Sequence, residues 1–462
     1  MANTFKRPAA PNGRRAPPNA SGMFAAAYAA LRCAALALLA AAPPAFAADG
    51  SDQTFAIHGQ ATYVEQEAGS FAAPYAGANS LSPDQGRETT DATLFIGARL
   101  WSGAEGWITP EIDQGFGLDA TLGAAGFPSA EAYKVGRNSP YLRLPRVFLR
   151  QTLNLAAPTE SVDADQMQLA GMRSSDRWVF TVGKFGVTDI FDINQYAHDA
   201  RNDFFNWAAV DAATFDYAAD AWAYTVGAAA ERYQGPWTVR AGLFDLSTVP
   251  NSTHLDPGFH EFQIVWEFEH RHEWGGQPGR LLLTGFDTRG RMGRLDAAIA
   301  LAQATGTTPN TAYVRTYGSR VGLSLDLEQQ LIADLGLFAR IGKAPGNVEV
   351  YEFTDVDRSV SAGLSLKGSG WGRRDDTIGI AGSVNAISAE REQYFNLGGL
   401  GILVGDGRLP HPGAEQIIET YYSIAVLAWA HVSLDYQWVK NPGYNTDRGP
   451  APIYAVRVHA QF

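Results

Sequence analysis

Apolar and polar residues alternate along the last stretch of the chain, from Ile453 to Phe462. Its apolar side consists of Tyr454, Val456, Val458, Ala460 and Phe462, and its more polar side consists of Ile453, Ala455, Arg457, His459 and Gln461. A period of two residues indicates a β-strand with one apolar face and one wet face. Because an open edge of this kind promotes aggregation, the pattern favours a closed barrel in which the last strand pairs with the first.

The same alternation predicts sixteen strands along the chain. Their approximate ranges are 54–65, 91–101, 105–113, 144–155, 177–187, 222–232, 236–246, 261–273, 280–289, 318–330, 334–344, 357–368, 376–387, 415–428, 430–440 and 452–462. The clearest cases are residues 320–328 and 261–273, where charged or polar residues alternate with large apolar ones. Charges at alternate positions of a membrane strand require a water-filled interior, because exposing each of them to lipid costs several kcal/mol.

The predicted connections alternate between long and short, with residues 156–176 as the one exception. Long outer loops and short periplasmic turns are typical of bacterial outer-membrane barrels, and this parity places both termini in the periplasm. The sequence therefore predicts an all-β fold: a transmembrane antiparallel β-barrel of about 16 strands. Tryptophans and tyrosines near the strand ends, among them Trp107, Trp237 and Tyr421, are expected to form aromatic girdles at the membrane interfaces.

Residues 1–47 have the features of a secretory signal peptide. Its basic residues are Lys6, Arg7, Arg14, Arg15 and Arg32, and it contains no acidic residue. An Ala/Leu-rich segment follows from Cys33, and residues 45–47 form an A-x-A cleavage site. We therefore expect a signal peptide that is cleaved after Ala47, followed by a single barrel domain over residues 48–462. Met23 is an alternative start to Met1.

Loss of this segment makes the remaining chain more acidic. Its 36 Lys and Arg fall to 31 against 48 Asp and Glu, so the formal charge changes from −12 to −17. The only cysteine, Cys33, is also lost, which suits export to an oxidising compartment. The acidic balance argues against nucleic acid as a partner.

The densest group of cations lies in the segment PYLRLPRVFLRQT. Arg146 and Arg150 share a strand face with Phe148, whereas Arg143 is expected at the loop end. If these arginines face the lumen, opposite the glutamates of residues 261–273, they would set a transverse field across a pore and hydrogen-bond the hydroxyl groups of sugars. Solvated lumen charges without a selective role remain an equal alternative. The polar, aromatic-rich link 189–220 is long enough to fold into the lumen.

Other chemistry is weakly indicated. Glu111 and Asp113 resemble a carboxylate pair for glycoside hydrolysis, but a lumen-facing strand end explains them equally well. His270 and His272 are spaced i, i+2 without a third placed metal ligand. The glycine-rich run 396–407 lacks the Lys-Ser/Thr of a phosphate-binding loop, and no nucleophile elbow is present. No cofactor or metal ion is therefore expected.

Several segments together resemble the carbohydrate-selective porins of the OprB type. They include PEIDQGFGLDATLGAAGFPSAEAYKVG, YLRLPRVFLRQT, VGKFGVTDIFDINQYAHDARNDFFNW and GLGILVGDGRLPHPG. The resemblance implies a sixteen-stranded barrel through which monosaccharides and similar sugars diffuse across the outer membrane. The expected pore and sugar-contact residues are Glu111, Asp113, Arg143, Arg146, Phe148, Arg150, Lys184, Asp189, Asp192, Arg201, Asn202, Asp203 and Trp207.

The predicted function is passive, sugar-selective diffusion, with aromatic rings of Phe148 and Trp207 stacking on the sugar. A general or ion-selective porin of the same architecture is the first alternative. A barrel-embedded enzyme such as a lipase, or an adhesin with a plugged lumen, comes second. Expected partners are carbohydrate solutes, outer-membrane lipid and lipopolysaccharide, and the barrel assembly machinery. The barrel is expected to be a monomer or a homotrimer in the outer membrane of a Gram-negative bacterium.

Overall fold

The computed structural model describes residues 53–132, 135–156 and 159–462. Within these residues, sixteen antiparallel strands close into one barrel, as the alternation predicts. The predicted signal peptide, its cleavage site after Ala47 and the first residues of the predicted domain 48–462 lie outside the described residues.

Each predicted strand coincides with a strand of the barrel. The barrel strands are β1 (Phe55–Ala68), β2 (Gln85–Trp101), β3 (Ala104–Gly115), β4 (Arg137–Asn154), β7 (Arg177–Phe185), β8 (Thr225–Gln234), β9 (Trp237–Asp245), β10 (Phe262–Trp274), β11 (Gln277–Gly293), β12 (Arg315–Ile332), β13 (Leu335–Lys343), β14 (Arg358–Gly368), β15 (Arg373–Ala386), β16 (Glu415–Leu427), β17 (Ala430–Lys440) and β18 (Ala451–Gln461). Two further short strands, β5 (Thr159–Val162) and β6 (Gly171–Ser174), form a separate hairpin in the exceptional link between β4 and β7.

The barrel closes between its first and last strands. β18 pairs antiparallel with β1 over nine residue pairs, including Tyr63 opposite Val458. At the end of the ladder, Gly59 and Phe462 exchange two backbone hydrogen bonds, of 3.0 and 2.9 Å. The Phe462 ring lies directly over Gly59, where a Cβ atom would come within 2.5 Å of ring carbons, so a side chain at Gly59 would displace the ring. The predicted pairing of last strand with first is confirmed.

The two faces of β12 differ as the alternation requires. In β12, Val321 and Leu323 point outward and are 53% and 46% exposed. Arg320 and Asp326 point inward and are almost fully buried. The apolar outer face is favoured by contact with lipid, and the charged inner face is favoured by contact with the polar groups of the lumen.

One end of the barrel has short turns and the other has long loops. At the short-turn end, Gly275 and Gly276 connect β10 to β11 with φ angles of 61° and 77°. Such positive φ values at both central residues are those of the tight hairpin turns that glycine favours. The long loops carry two helices, α2 (Leu295–Thr305) and α3 (Ala389–Asn396), and the side chain of Ser388 caps α3 by accepting from the Arg391 amide. Among the described residues, no helix is long and apolar enough to cross a bilayer.

Aromatic side chains at the strand ends divide between the two faces. Trp101, Trp237 and Trp274 lie exposed at the short-turn end, as expected of a girdle. Trp107 and Tyr421 are only 2% exposed and face the lumen, so the girdle prediction is wrong for both. Tyr421 packs edge-on against Phe204, with ring centroids 5.0 Å apart, because its position in the strand alternation places it on the inner face.

Candidate functional site

The lumen is narrowed by the link between β7 and β8, residues 186–224, which folds into the barrel as the sequence suggested. We call it the inward loop. Nearly all of its residues from Phe204 to Ala221 are buried, and it contains one helical turn, α1 (Trp207–Val210), capped by the side chain of Asn206. The inward loop therefore forms the constriction of the barrel.

Two arginines of the barrel wall donate to backbone carbonyls of the inward loop. The Arg340 guanidinium donates to the carbonyls of Ala209 at 2.6 Å and Ala197 at 2.8 Å. Arg457 of β18 donates to the carbonyls of Ala200 and Asn202 at 2.5 and 3.0 Å. These charged forks hold the loop at two separate parts of the wall.

Carboxylates of the wall accept hydrogen bonds from backbone amides of the same loop. Glu267 accepts from the amide of Asp192 at 2.8 Å, and Glu328 accepts from the amide of Gln195 at 2.8 Å. Glu419 accepts from the amides of two successive residues, Phe205 and Asn206. The charged inner face of the barrel thus has a structural role, since much of it pairs with one loop.

The inward loop is joined to a second buried loop, residues 344–357, through Asp216. Its carboxylate accepts from the backbone amides of residues 351–354, with N–O distances of 2.7, 3.2, 3.0 and 3.2 Å. It also lies 3.6 Å from Arg320 of the wall. One carboxylate therefore organises the turn of a neighbouring loop.

The Asp216→Ala variant should loosen the loop 344–357, because it leaves these amides without their acceptor at a cost of about 1–3 kcal/mol for each unsatisfied group. We expect faster cleavage of this loop by protease added to reconstituted vesicles. Asp216→Asn keeps a carbonyl acceptor and should be less affected. Equal cleavage of both variants and of the unaltered protein would contradict this role.

A cavity of about 410 Å³ remains beside the inward loop. It extends from outer-loop residues such as Thr121 and Leu403 to Gln60 near the short-turn end. Its polar and aromatic lining includes Arg146, Asp189, Arg201, Trp207, Trp222 and Tyr224. Four of the residues predicted from the sequence therefore line this space, and Trp222 and Tyr224 are among the aromatic lining residues that were not predicted as site residues.

Arg146 forms the centre of the first cluster of charges at the cavity. Its Nε and Nη2 atoms donate to the two carboxylate oxygens of Asp189 at 2.7 and 2.6 Å. Its guanidinium lies 4.8 Å from the centre of the Tyr224 ring. Burial raises the pKa of the Asp189 carboxyl, but the charge and hydrogen bonds of Arg146 outweigh burial and hold that pKa below its usual value. The pair therefore stays ionised into the acidic range.

Arg143 joins the same cluster, contrary to its predicted place at the loop end. β4 carries an extra residue relative to β3, since Thr109 pairs with Arg146 and Glu111 pairs with Arg143. This β-bulge turns both arginines to the inner face. Arg143 lies 3.2 Å from Asp113 and stacks 4.6 Å from the centre of the Trp222 ring.

Two further ion pairs complete the charges around the cavity. Lys184 lies 3.2 Å from Asp220. Arg201 of the inward loop reaches Glu131 at 3.0 Å and Asp91 at 3.4 Å, and lies 3.8 Å from Glu111. Arg201 also lines a second cavity of about 410 Å³, which lies nearer the short-turn end of β12–β17. Each cation at the constriction is thus matched by a nearby carboxylate.

The remaining predicted residues lie in supporting positions. Asp192 is fully buried and accepts from the Ala212 amide at 2.6 Å. Asn202 and Asp203 line the second cavity, and their carbonyls accept from Arg457. Arg150 donates to the carbonyl of Met167 in the link between β4 and β7, away from the Arg146 cluster.

The predicted transverse field is not supported. Glu267 and Glu269 of β10 are bound by Arg240 of β9, at 2.6 and 2.7 Å. The glutamates therefore do not form an uncompensated wall opposite Arg146 and Arg150. The sequence could not show this pairing, because it depends on how β9 and β10 lie side by side.

The predicted aromatic faces are covered. Trp207 is 2% exposed and stacks on Phe127, with ring centroids 5.3 Å apart. Phe148 is 6% exposed and packs edge-on against Phe185. Neither presents an open ring face to the cavity, whereas the half-buried Trp222 lies at its lining.

Other readings of the sequence gain no support from the geometry. Glu111 is hydrogen-bonded by Thr93 at 2.7 Å and Asp113 is paired with Arg143, as lumen-facing strand residues would be. His270 and His272 stack against Trp237 and Trp274 at the barrel rim. In the described part of the chain, no three His, Cys, Asp or Glu side chains are placed to hold a metal ion.

Two solved structures with similar folds are Pseudomonas putida OprB and the outer membrane channel DcaP. Pseudomonas putida OprB at high pH matches with a TM-score of 0.65 and 16% identity over 88% of this chain and 94% of that one. The channel DcaP of Acinetobacter baumannii matches with a TM-score of 0.48 and 9% identity over 90% of this chain and 99% of that one. No curated protein sequence matches the chain.

The family comparison covers most of the barrel. The family described as "Carbohydrate-selective porin, OprB family" matches residues 78–462, which include every strand except β1. This match agrees with the sixteen-stranded barrel, its narrowed lumen and the resemblance seen in the sequence. The chain belongs to the OprB family of carbohydrate-selective porins, and it is a sugar-selective porin of the outer membrane.

Proposed function

We propose that this porin passes monosaccharides and similarly small neutral carbohydrates through the cavity beside the inward loop. The observation that carries the proposal is that the cations of the constriction are paired with carboxylates. Arg146, Arg143, Lys184 and Arg201 each have a carboxylate within 3.4 Å. Paired charges keep the hydrogen-bonding capacity of the groups while reducing the net field, so hydroxyl groups are favoured over free ions.

The size of the cavity supports a small solute. A volume of about 410 Å³ lies near the lower end of the roughly 300–1,000 Å³ typical of small-molecule sites. Arginine presents several donors in a planar fork, and the neighbouring carboxylates accept from sugar hydroxyls. Trp222 replaces Phe148 and Trp207 as the aromatic contact, since it lines the cavity and is less buried than either of them. Each interaction is weak enough for the solute to leave, as conduction requires.

A size series tests this proposal. In liposomes containing the purified protein, we expect monosaccharides to enter faster than disaccharides, and disaccharides faster than trisaccharides. A monosaccharide should also enter faster than a neutral amino acid of similar size, because the amino acid has fewer hydroxyl groups. Equal rates for the monosaccharide and the amino acid would show sieving by size alone.

A general or ion-selective porin is the alternative function. Charge reversal by Arg146→Glu separates the two, with Arg294→Glu, an exposed side chain at the start of α2, as a comparison outside the lumen. Changed ion selectivity with unaltered sugar flux in Arg146→Glu would favour the ion-selective alternative. We expect sugar flux to fall in Arg146→Glu and to stay near that of the unaltered protein in Arg294→Glu.

The protein acts as a channel of the outer membrane rather than as an enzyme. We propose that residues 1–47 are removed on export and that the barrel domain is 48–462, so the mature protein should begin at Ala48 when its N-terminus is sequenced.

The apolar outer face contacts lipid and lipopolysaccharide, and the barrel assembly machinery recognises the terminal strand β18. Each chain encloses its own lumen, so the mechanism is the same for a monomer and a homotrimer.

A further inference from the structure

The connection between β4 and β7 departs from the pattern of the barrel. The other connections at the periplasmic end are short turns, whereas this one spans residues 155–176 and contains the hairpin β5–β6. We call residues 163–170, between the two strands, the hairpin tip. A short turn would be enough to join the neighbouring strands β4 and β7. The extra length of this connection therefore requires another explanation.

The hairpin tip is fastened across the periplasmic mouth of the barrel. Gln166 Nε2 donates to Gln60 Oε1 at 2.8 Å, on β1. The carbonyl of Ala170 accepts from the amide of Gln53 at 3.0 Å and from Arg99 Nη2 at 3.0 Å. The tip thus reaches from the β4–β7 side of the rim to β1 and β2.

The barrel wall and the apolar core also contact the hairpin tip. Arg150 Nη1 donates to the carbonyl of Met167 at 2.7 Å, and Leu169 is only 1% exposed within the apolar core. Arg173, at the base of the hairpin, lies 3.7 Å from Glu105 of β3. These contacts give Arg150 a structural role in place of the sugar contact expected from the sequence.

The cavity beside the inward loop ends at this tip. Gln166 and Met167 both line it, together with Gln60, at the end opposite the outer-loop residues. We propose that the hairpin tip is the inner boundary of the permeation path and that Gln166 and Met167 determine which sugars leave the constriction. The proposal rests on the proposed function for the nature of the solute, but not for the position of the boundary. The tip presents an amide donor and acceptor beside a flexible apolar side chain, which suits the polar edge and apolar face of a sugar ring.

Removal of the tip tests the proposal. Residues 163–170 are replaced by an Asn-Gly turn that joins Val162 to Gly171, which already pair across the hairpin. We expect single-channel conductance to rise by roughly twofold, because the tip lies in series with the constriction and its removal widens the inner end of the path. Disaccharides should also enter liposomes faster relative to monosaccharides. Unchanged conductance and unchanged sugar ratios in a folded variant would overturn the proposal and leave the hairpin as a brace for β1.

A second measurement does not depend on the deletion folding. Gln166→Cys in a Cys33→Ser background places one thiol at the cavity, and Glu160→Cys, on the exposed side of β5, is the matched control. A bulky thiol reagent should reduce the current through Gln166→Cys and leave that through Glu160→Cys unchanged. Labelling of Gln166→Cys without loss of current would overturn the proposal. Ion current reports the boundary even if the barrel shows no sugar preference, so failure of this proposal is distinguishable from failure of the proposed function.

Discussion

The Arg340→Met variant should lose the constriction while keeping the barrel. Arg340 links four groups around it: its Nε lies 3.1 Å from Asp326 and 3.6 Å from Asp192, and its Nη atoms bind the carbonyls of Ala209 and Ala197. Methionine fills similar space without any donor. Two carboxylates then remain buried without their cation, and breaking a buried pair in this way costs about 3–5 kcal/mol.

The inward loop should change its conformation before the wall does, because the barrel strands are held by continuous ladders of backbone hydrogen bonds. We therefore expect a larger, noisier single-channel conductance and loss of the sugar preference in Arg340→Met, with the barrel still folded by circular dichroism. Ile341→Met is the matched control, since Ile341 is the next residue of β13 and points outward to lipid. Unchanged conductance in Arg340→Met would show that the inward loop does not depend on this residue.

The Arg146→Gln variant should weaken sugar retention without opening the pore. Glutamine cannot reproduce the two-pronged contact with Asp189 or the cation over the Tyr224 ring. Loss of the hydrogen bond from the Arg146 cation to a sugar hydroxyl should cost about 1.5–3 kcal/mol. This cost corresponds to roughly a tenfold or greater rise in the sugar concentration that half-blocks the ion current. The unpaired Asp189 should also shift the reversal potential toward cation selectivity.

Arg146→Lys separates charge from geometry in the same measurement. Lysine keeps the cation but lacks the planar fork, so it should restore the reversal potential and only part of the sugar block. Val147→Ala, on the outer face of the same strand, is the control for changes in β4 that do not touch the lumen. Sugar block that is equal in Arg146→Gln and the unaltered protein would remove Arg146 from the permeation path.

Strand positions could be predicted from sequence because polar residues that face the lumen alternate with apolar residues that face lipid. β12 alternates charged and apolar residues along its length, and its partners repeat the pattern. The bulge in β4 could not be seen in this way, since one extra residue near Pro145 reverses the expected faces of its neighbours. Arg143 was therefore assigned to the loop end and not to the face of Arg146.

The candidate site was predictable only in part. The inward loop was identified by its length and its aromatic and acidic residues, and Arg146, Asp189 and Arg201 do line the cavity. The partners of these residues come from distant parts of the chain: Arg201 meets Asp91 of β2 and Glu131 of an outer loop. No local pattern marks such pairs, so neither Asp91 nor Glu131 was predicted as a site residue.

Ion current through single reconstituted channels, measured while the monosaccharide concentration is raised, shows whether a constriction of paired charges favours sugars over ions. We expect a small current that falls saturably with monosaccharide and less with trisaccharide. A large ion current that does not change at any monosaccharide concentration would contradict selection of sugars by paired charges.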